Sequence, residues 1–152
     1  MDTTTPIITA VTRNKLITEE WMMAWSWLGA NPGNYGPPEL FPTLDEWIEN
    51  YVPKFTDSVA LLINDEIVAI GLLDEEAFIH CLLNPDCQFP LSRARHLKKA
   101  FERYFIPRYK FLYTEMTSSN EKAEKLVKFL GFSVLPQSIT HPRRKVAVYM
   151  KR

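Results

Sequence analysis

One stretch, from Leu82 to Phe132, constrains the fold of this chain more than any other. It contains an apolar strand that ends at Leu83, a polar loop over 84–92, a helix over 95–104, a second apolar strand over 109–116 and a second helix over 120–130. Strands joined by a crossover helix and followed by another helix predict a βαβα unit. The loop before the first helix lies where such units bind phosphates, because free backbone N–H groups and the helix dipole point there.

The rest of the chain adds a strand hairpin and two inserted helices. Asn64 and Asp65 form a tight turn between two continuous apolar runs, which predicts a β-hairpin covered on both faces. Helical spacing of apolar residues after Asn14 predicts a first helix with Asn14 as its N-cap, and Thr43 begins a capping box that predicts a second helix. Strands are predicted over 6–12, 58–63, 67–73, 77–83, 133–135 and 146–150.

The order of these elements is βααβββαβαββ. It predicts an α/β (α+β) fold with a mixed central sheet of about six to seven strands and helices on both faces. The 152 residues contain no internal repeat, low-complexity segment or interdomain linker, so we expect a single domain over 1–152.

Composition narrows the function classes. The chain has 18 basic and 18 acidic residues and a net charge of zero, which argues against a broad nucleic-acid-binding surface. No apolar run approaches the ~20 residues that span a bilayer, and the N-terminus lacks the pattern of a signal peptide. Cys81 and Cys87 do not have the spacing of a metal or redox site, so we expect reduced thiols, no metal and a cytoplasmic location.

The order of elements resembles the GNAT superfamily of acyl-CoA N-acyltransferases. Leu97 to Tyr104 is similar to the helix that follows the family's CoA-pyrophosphate loop. Asn120-Glu121-Lys122-Ala123, followed by Lys128-Phe129-Leu130-Gly131-Phe132, is similar to the family's N-x-x-A…K-x-L-G-F ending, with the family spacing. The resemblance implies a GNAT-like mixed sheet and an acyl-CoA donor such as acetyl-CoA.

The resemblance also implies a set of CoA-binding residues. Backbone groups around Leu82 and Leu83 would bind the pantetheine arm, and Asn120 would belong to the same set. The pyrophosphate loop would be 92–95, and its residues are Ser92, Arg93, Ala94 and Arg95. Small residues stand at the family's glycine positions, and the arginines supply charge that binds phosphate.

The chain departs from the family pattern at Val127, where many members carry a tyrosine that protonates the departing thiolate. Two hypotheses therefore remain. The protein is an acyl-CoA-dependent N-acyltransferase acting on an amine of a small molecule or protein. Alternatively, it is a non-catalytic GNAT-like interaction or structural protein, for example a virion component of a tailed phage. Fold alone does not decide between them, because one fold hosts many functions.

An acyltransferase needs a group that accepts the proton of the amine. Glu115, near the end of its strand, is better placed for this role than Glu75 or Glu76, and its alternative is a surface or ion-paired carboxylate. His80 alternates with apolar neighbours along its strand, which is typical of a satisfied core histidine.

Two further patches point to binding. Basic residues at the start of the helix, from Arg93 to Lys99, fit the phosphates of CoA, a solvated face or, less well, nucleic acid. Trp27 is expected to point away from the core face of the first helix. With Met22 and Met23 it would form an exposed apolar patch that binds a protein partner or a second copy.

Overall fold

The computed structural model describes residues 10–30, 40–86, 91–117, 121–136 and 144–150. The predicted element order is confirmed. The elements are β1 (Ala10–Asn14), α1 (Thr18–Ala30), α2 (Leu44–Glu46), β2 (Phe55–Ile63), β3 (Glu66–Asp74), β4 (Ile79–Leu83), α3 (Leu91–Tyr104), β5 (Phe111–Thr117), α4 (Glu121–Leu130), β6 (Ser133–Val134) and β7 (Arg144–Met150).

The strands form two sheets that meet at one point. β1, β2, β3 and β4 pair in that order, each antiparallel to its neighbour, and β5, β7 and β6 form a second antiparallel sheet. A parallel bridge between Phe78 and Tyr113 joins β4 to β5, as a crossover through α3 requires. The predicted hairpin at Asn64 and Asp65 is confirmed, and both residues take positive φ, which suits a two-residue turn.

Apolar side chains on the two faces of the first sheet build two cores. One core joins that sheet to α3, α4 and the second sheet through residues such as Phe101, Phe105 and Leu112. The other packs α1 and α2 against the opposite face, with Trp47 only 3% exposed at its centre. Alternate residues of β2, β3 and β4 serve alternate faces, so both faces of these strands are covered.

The first helix begins later than predicted. Asn14 is not its N-cap but the last residue of β1, where it pairs with Val59. The helix is fixed instead by Glu20, whose carboxylate accepts a hydrogen bond from the Ile17 amide at 2.9 Å and pairs with Arg13. This capping depends on a contact with the preceding strand, which helical periodicity does not show.

The second helix begins as predicted. Thr43 Oγ1 accepts a hydrogen bond from the Glu46 amide at 3.2 Å, which is the capping interaction expected at this position. Beyond Glu46 the helix continues as a π turn over Trp47–Tyr51 and a 3₁₀ turn over Val52–Lys54. These turns aim Trp47 into the core, where its indole N–H donates to the Trp21 carbonyl at 2.8 Å.

Two further predictions about helices are wrong. The α3 helix begins at Leu91, four residues earlier than predicted, so the preceding loop is shorter. Trp27 is not exposed on α1: it is half-buried and packs against the core that contains Trp47, while Met22 is 43% exposed. Within the described ranges, none of the helices has the length and apolar character needed to cross a bilayer.

Candidate functional site

The two sheets part immediately beyond the bridge between Phe78 and Tyr113. The Tyr113 amide donates to the Ala77 carbonyl at 3.0 Å, and no further bridge joins the two strands among the described residues. From this point β4 runs on to Leu83 and β5 runs on to Thr117. We call the opening between Ile79–Leu83 and Thr114–Thr117 the β4–β5 cleft.

The edge of β4 presents backbone groups to this cleft. Hydrogen bonds from Asn84 to Val68 (2.9 Å) and from Asp74 to Phe78 (3.0 Å) fix which pairs of the β3–β4 ladder are hydrogen-bonded. Because hydrogen-bonded pairs alternate along an antiparallel ladder of constant register, Leu82 pairs with β3. The N–H and C=O groups of Cys81 and Leu83 therefore point away from β3, toward the cleft.

This geometry gives the two predicted pantetheine-binding residues, Leu82 and Leu83, different positions. Leu83 keeps its predicted position, with its backbone groups on the cleft edge. Leu82 uses its backbone groups in the sheet, and its side chain is 1% exposed in the core against α1. Cys81 takes the second position on the edge, which the sequence did not indicate because strand register is set by tertiary pairing.

The predicted phosphate-binding segment lies in the first turns of α3. Ser92, Arg93, Ala94 and Arg95 are all helical, and Arg95 is exposed. The first four amides of a helix have no acceptor within the helix, so this end offers N–H donors and a positive dipole. Of the other basic residues, Lys98 packs across to α4, where its Nζ lies 5.1 Å from the centre of the Phe129 ring.

A histidine, His80, lies on β4 where the cleft begins. His80 Nε2 lies 3.1 Å from Asp74 Oδ2, and the His80 side chain is 38% exposed. The other oxygen of Asp74 accepts hydrogen bonds from the amides of Glu76 (2.9 Å) and Phe78 (3.1 Å), which hold the carboxylate in place. The His80 and Phe55 rings are arranged edge to face, with their centroids 5.8 Å apart.

This pair can hold His80 in one orientation with Nε2 toward Asp74. The Nδ1 atom is not used by this contact. A neutral imidazole that donates from Nε2 to a carboxylate carries its lone pair on Nδ1, which is the state of a proton acceptor. The arrangement therefore fits a general base positioned by a carboxylate.

Glu115 lies on the opposite side of the cleft from His80. His80 and Glu115 each lie two residues beyond the bridge between Phe78 and Tyr113, whose rings are 5.5 Å apart, so both side chains lie on the same face of their strands. Glu115 is exposed, and its backbone pairs with Val146 of the neighbouring strand β7. Asp74 and Glu115 thus place one carboxylate on each side of this face of the cleft.

The other face of the cleft is apolar and hollow. Side chains of Ile79 and Cys81 on β4 and of Thr114 on β5 line a cavity of about 50 Å³ that α3 and α4 cover. Val127, at the position of the family's tyrosine, is part of the lining. Burial raises the pKa of the Cys81 thiol to about 12, so this thiol is a poor nucleophile.

Other residues singled out in the sequence do not add to the described part of this site. Asn120 and Cys87 lie outside the described residues. Glu75 and Glu76 are exposed in the turn before β4. In the described ranges, no group of three or more His, Cys, Asp and Glu side chains is arranged to hold a metal ion.

Sequence reasoning assigned His80 to the core because a lone histidine in an apolar strand is usually buried. The signal that it missed is the spacing of Asp74 and His80, which flank a short turn before β4. A turn that positions both amides for Asp74 and returns the chain to the same sheet brings the two side chains together.

Solved structures of acetyltransferases share this fold. The aminoglycoside acetyltransferase AAC(6')-Ib in complex with coenzyme A is 19% identical, with a TM-score of 0.67 over 93% of this chain and 95% of that one. Spermidine N-acetyltransferase from Vibrio cholerae, in complex with CoA and spermine, is 15% identical, with a TM-score of 0.70 over 93% and 95%. RimL, a ribosomal alpha-N-protein acetyltransferase in complex with coenzyme A, is 8% identical, with a TM-score of 0.68 over 93% and 94%.

No protein-family model matches the sequence, and no curated protein matches it significantly. At identities below 20%, the likeness to these structures establishes the fold. The chain therefore has the GNAT acetyltransferase fold, as the order of its elements predicted.

Proposed function

We propose that this protein is an acyl-CoA-dependent N-acyltransferase that acts on a positively charged amine of a small molecule or protein. The observation that carries the proposal is the β4–β5 cleft, where Cys81 and Leu83 present backbone groups that none of the described strands pairs with. Similar proteins are bound to coenzyme A, and one of them is also bound to the polyamine spermine.

The groups along the cleft match the chemistry of an acyl-CoA. The pantetheine arm carries amide groups, which would hydrogen-bond to the β4 edge at Cys81 and Leu83 as an added strand does. The first turn of α3, from Leu91 to Ala94, supplies amide donors for the pyrophosphate, and Arg95 supplies positive charge. The bound donor contributes a thioester carbonyl that an amine can attack.

The residues of this chain would handle the amine and its proton. Glu115 and Asp74 would attract an ammonium group to the face of the cleft that carries them. His80 accepts the proton that the amine gives up, with Asp74 holding the imidazole in the correct orientation. This assignment gives Glu115, the predicted catalytic carboxylate, the role of binding the acceptor.

Val127 cannot protonate the departing thiolate, but the reaction does not require it. A thiol with a pKa of ~8.5 leaves readily as a thiolate and takes its proton from solvent. We therefore expect kcat to fall less at alkaline pH than it does in an enzyme whose leaving thiolate is protonated by a tyrosine.

The test has two parts, binding and transfer. A thermal shift with acetyl-CoA at 100 times its Kd should stabilise the fold by about 2.7 kcal/mol. Transfer is then measured by thiol release with a panel of amines that contains spermine, an aminoglycoside and a peptide with a free N-terminus. Absence of both a shift and binding by calorimetry at millimolar acetyl-CoA would refute the proposal.

A second candidate function is a non-catalytic interaction or structural protein, such as a virion component. The observation that favours it is Val127, where the family's tyrosine is missing. This alternative predicts that acetyl-CoA binds without transfer to any amine, or does not bind, and that the protein co-purifies with a partner from its source. Transfer to any amine on the panel, lost in a His80 variant, would rule it out.

A further inference from the structure

The cavity beneath the β4–β5 cleft is not explained by the binding and proton chemistry described above. It has a volume of about 50 Å³ and lies between the sheet and the helices α3 and α4. Its walls include Gly71, Ile79, Cys81, Phe101, Thr114 and Val127. Space in a protein core is ordinarily filled, since interiors pack as densely as organic crystals, so an open volume at this place calls for an occupant.

The lining determines what kind of group the cavity can hold. None of the described residues that line it is charged, and its polar groups are threonine hydroxyls and the Cys81 thiol. Burial keeps this thiol protonated, with its pKa raised to about 12. An ammonium, phosphate or carboxylate group would have no charged partner among these residues and would lose its hydration. The occupant must be apolar.

The position of the cavity identifies the source of that apolar group. Ile79 and Cys81 lie on one side of the β4–β5 cleft and Thr114 on the other, so one end of the cavity lies under the point where the strands part, and the rest extends under β1, β2 and β3. Since side chains alternate along a strand, it lies on the face of the sheet opposite His80 and Glu115. A thioester held at this point with its carbonyl carbon accessible to an amine on the polar face would have the cavity as the nearest apolar space for its alkyl chain.

We propose that this cavity binds the alkyl chain of an acyl donor longer than acetyl. The inference rests on the proposed function, because it requires that the cleft binds an acyl-CoA. A water-sized group needs about 10–15 Å³ of such volume, so the cavity holds roughly three to four carbon atoms beyond the acetyl methyl. The preferred donors are therefore pentanoyl-CoA and hexanoyl-CoA.

The test is a series of dissociation constants measured by calorimetry for CoA, acetyl-, butyryl-, hexanoyl- and decanoyl-CoA. Each methylene that enters the cavity should tighten binding about fourfold, up to hexanoyl-CoA, with no gain or a loss for decanoyl-CoA. If all the acyl-CoAs bind with the affinity of CoA itself, the cavity is a dry packing defect and the inference is overturned while the proposed function stands. If no CoA species binds, both fail.

Two variants locate the chain in the cavity. Val127→Phe places a ring in the lining and should reduce the ratio of hexanoyl-CoA to CoA affinity at least tenfold. The matched control is Val134→Phe, because Val134 packs against the same core but does not line the cavity. This control should leave the ratio unchanged.

Cys81→Ala enlarges the cavity and should move the preferred chain length upward by one or two carbons. This second variant keeps the inference testable if Val127→Phe does not fold. If Cys81→Ala and the unmodified protein have the same ratio of hexanoyl-CoA to CoA affinity and both still prefer hexanoyl-CoA, the alkyl chain lies elsewhere. That result would overturn the assignment.

Discussion

At the scale of single residues, the chemistry of the cleft depends on how His80 is held. Asp74 contacts the ring with one oxygen and two backbone amides with the other, so the carboxylate is fixed from both sides. The backbone amides belong to the turn that leads into β4. The orientation of the imidazole is thus built into the same turn that begins the strand of the cleft.

Replacing His80 with Gln should abolish most of the transfer activity without loss of CoA binding. Removing a general base lowers kcat by about 100-fold or more, while Gln keeps a polar group beside Asp74. Asp74→Asn should lower kcat less, since it disturbs only the orientation of the ring. The measurement is kcat, KM and the Kd for acetyl-CoA of each variant, with Asp65→Asn in the exposed β2–β3 turn as the control. An unchanged kcat in His80→Gln would remove His80 from the mechanism.

Glu115 should affect the acceptor rather than the proton. We expect Glu115→Gln to raise KM for a cationic amine several-fold and to change kcat little, because a charge that attracts the ground state is lost. The matched control is Glu49→Gln, an exposed carboxylate on the π turn after α2. A fall in kcat with unchanged KM would instead make Glu115 the general base, as the sequence predicted.

At the scale of the elements, the ends of helices and strands are fixed by contacts that reach beyond the local sequence. The α4 helix ends as its sequence indicates. Phe132 donates its amide to the Val127 carbonyl at 2.9 Å and Gly131 donates to Lys128 at 3.1 Å, the pattern of a helix terminated by a left-handed glycine. Gly131 has φ of +105°. The way in which α4 ends therefore explains the Leu130-Gly131-Phe132 sequence that resembles the family motif.

Gly131→Ala should destabilise the protein by about 1 to 3 kcal/mol. Its Cβ would be strained at this positive φ and would lie 3.2 Å from Tyr149 Cε2. Gly131→Asn should cost less than Ala, because Asn tolerates positive φ better while adding the same Cβ. Urea unfolding measures all three proteins, and equal stability of Ala and Gly at this position would contradict the role of φ.

Hydrogen bonds to Asp57 connect α3 and the segment before β5 to β2. The hydroxyl of Tyr109 donates to Asp57, and the hydroxyl of Tyr104 lies 3.5 Å from the same carboxylate. Burial and the Asp57 carboxylate raise the pKa of Tyr109 to about 12. The folded protein therefore holds this proton more tightly than the unfolded chain does.

Stability should accordingly be full below about pH 10 and fall as pH rises toward 12. Tyr109→Phe should cost about 1 to 2 kcal/mol at pH 7, through the lost hydrogen bond, and should make the alkaline decline shallower. Unfolding free energies at pH 7, 9, 10 and 11 measure both effects. A decline that is equally steep in Tyr109→Phe would assign it to other groups.

At the scale of the whole molecule, patterns that repeat along the sequence predicted the fold well. Apolar periodicity was sufficient for the longer strands and helices, while the capping box at Thr43 and the turn residues marked the short elements α2 and β6. The start of α1 was missed, since Glu20 and Arg13 fix it by a contact between a helix and a strand. The site was missed for the same reason, because the bridge between Phe78 and Tyr113, a tertiary contact, is what places His80 and Glu115 on opposite sides of one cleft.

The cleft divides the molecule into two chemical faces. One face carries His80, Asp74 and Glu115, and the other carries the apolar cavity lined by Cys81 and Val127. A donor in the cleft would then meet the amine on the polar face and place its alkyl chain on the apolar one. The parting of the strands is the feature on which both proposals depend.

Hydrogen exchange of the β4 amides with and without acetyl-CoA tests this feature most directly. The Cys81 and Leu83 amides face the cleft, whereas the Leu82 amide belongs to the β3 ladder. We predict that saturating acetyl-CoA protects the amides of Cys81, Leu83 and the first turn of α3, with little change at Leu82. Protection that spares the β4 edge, or no change anywhere along it, would contradict the account.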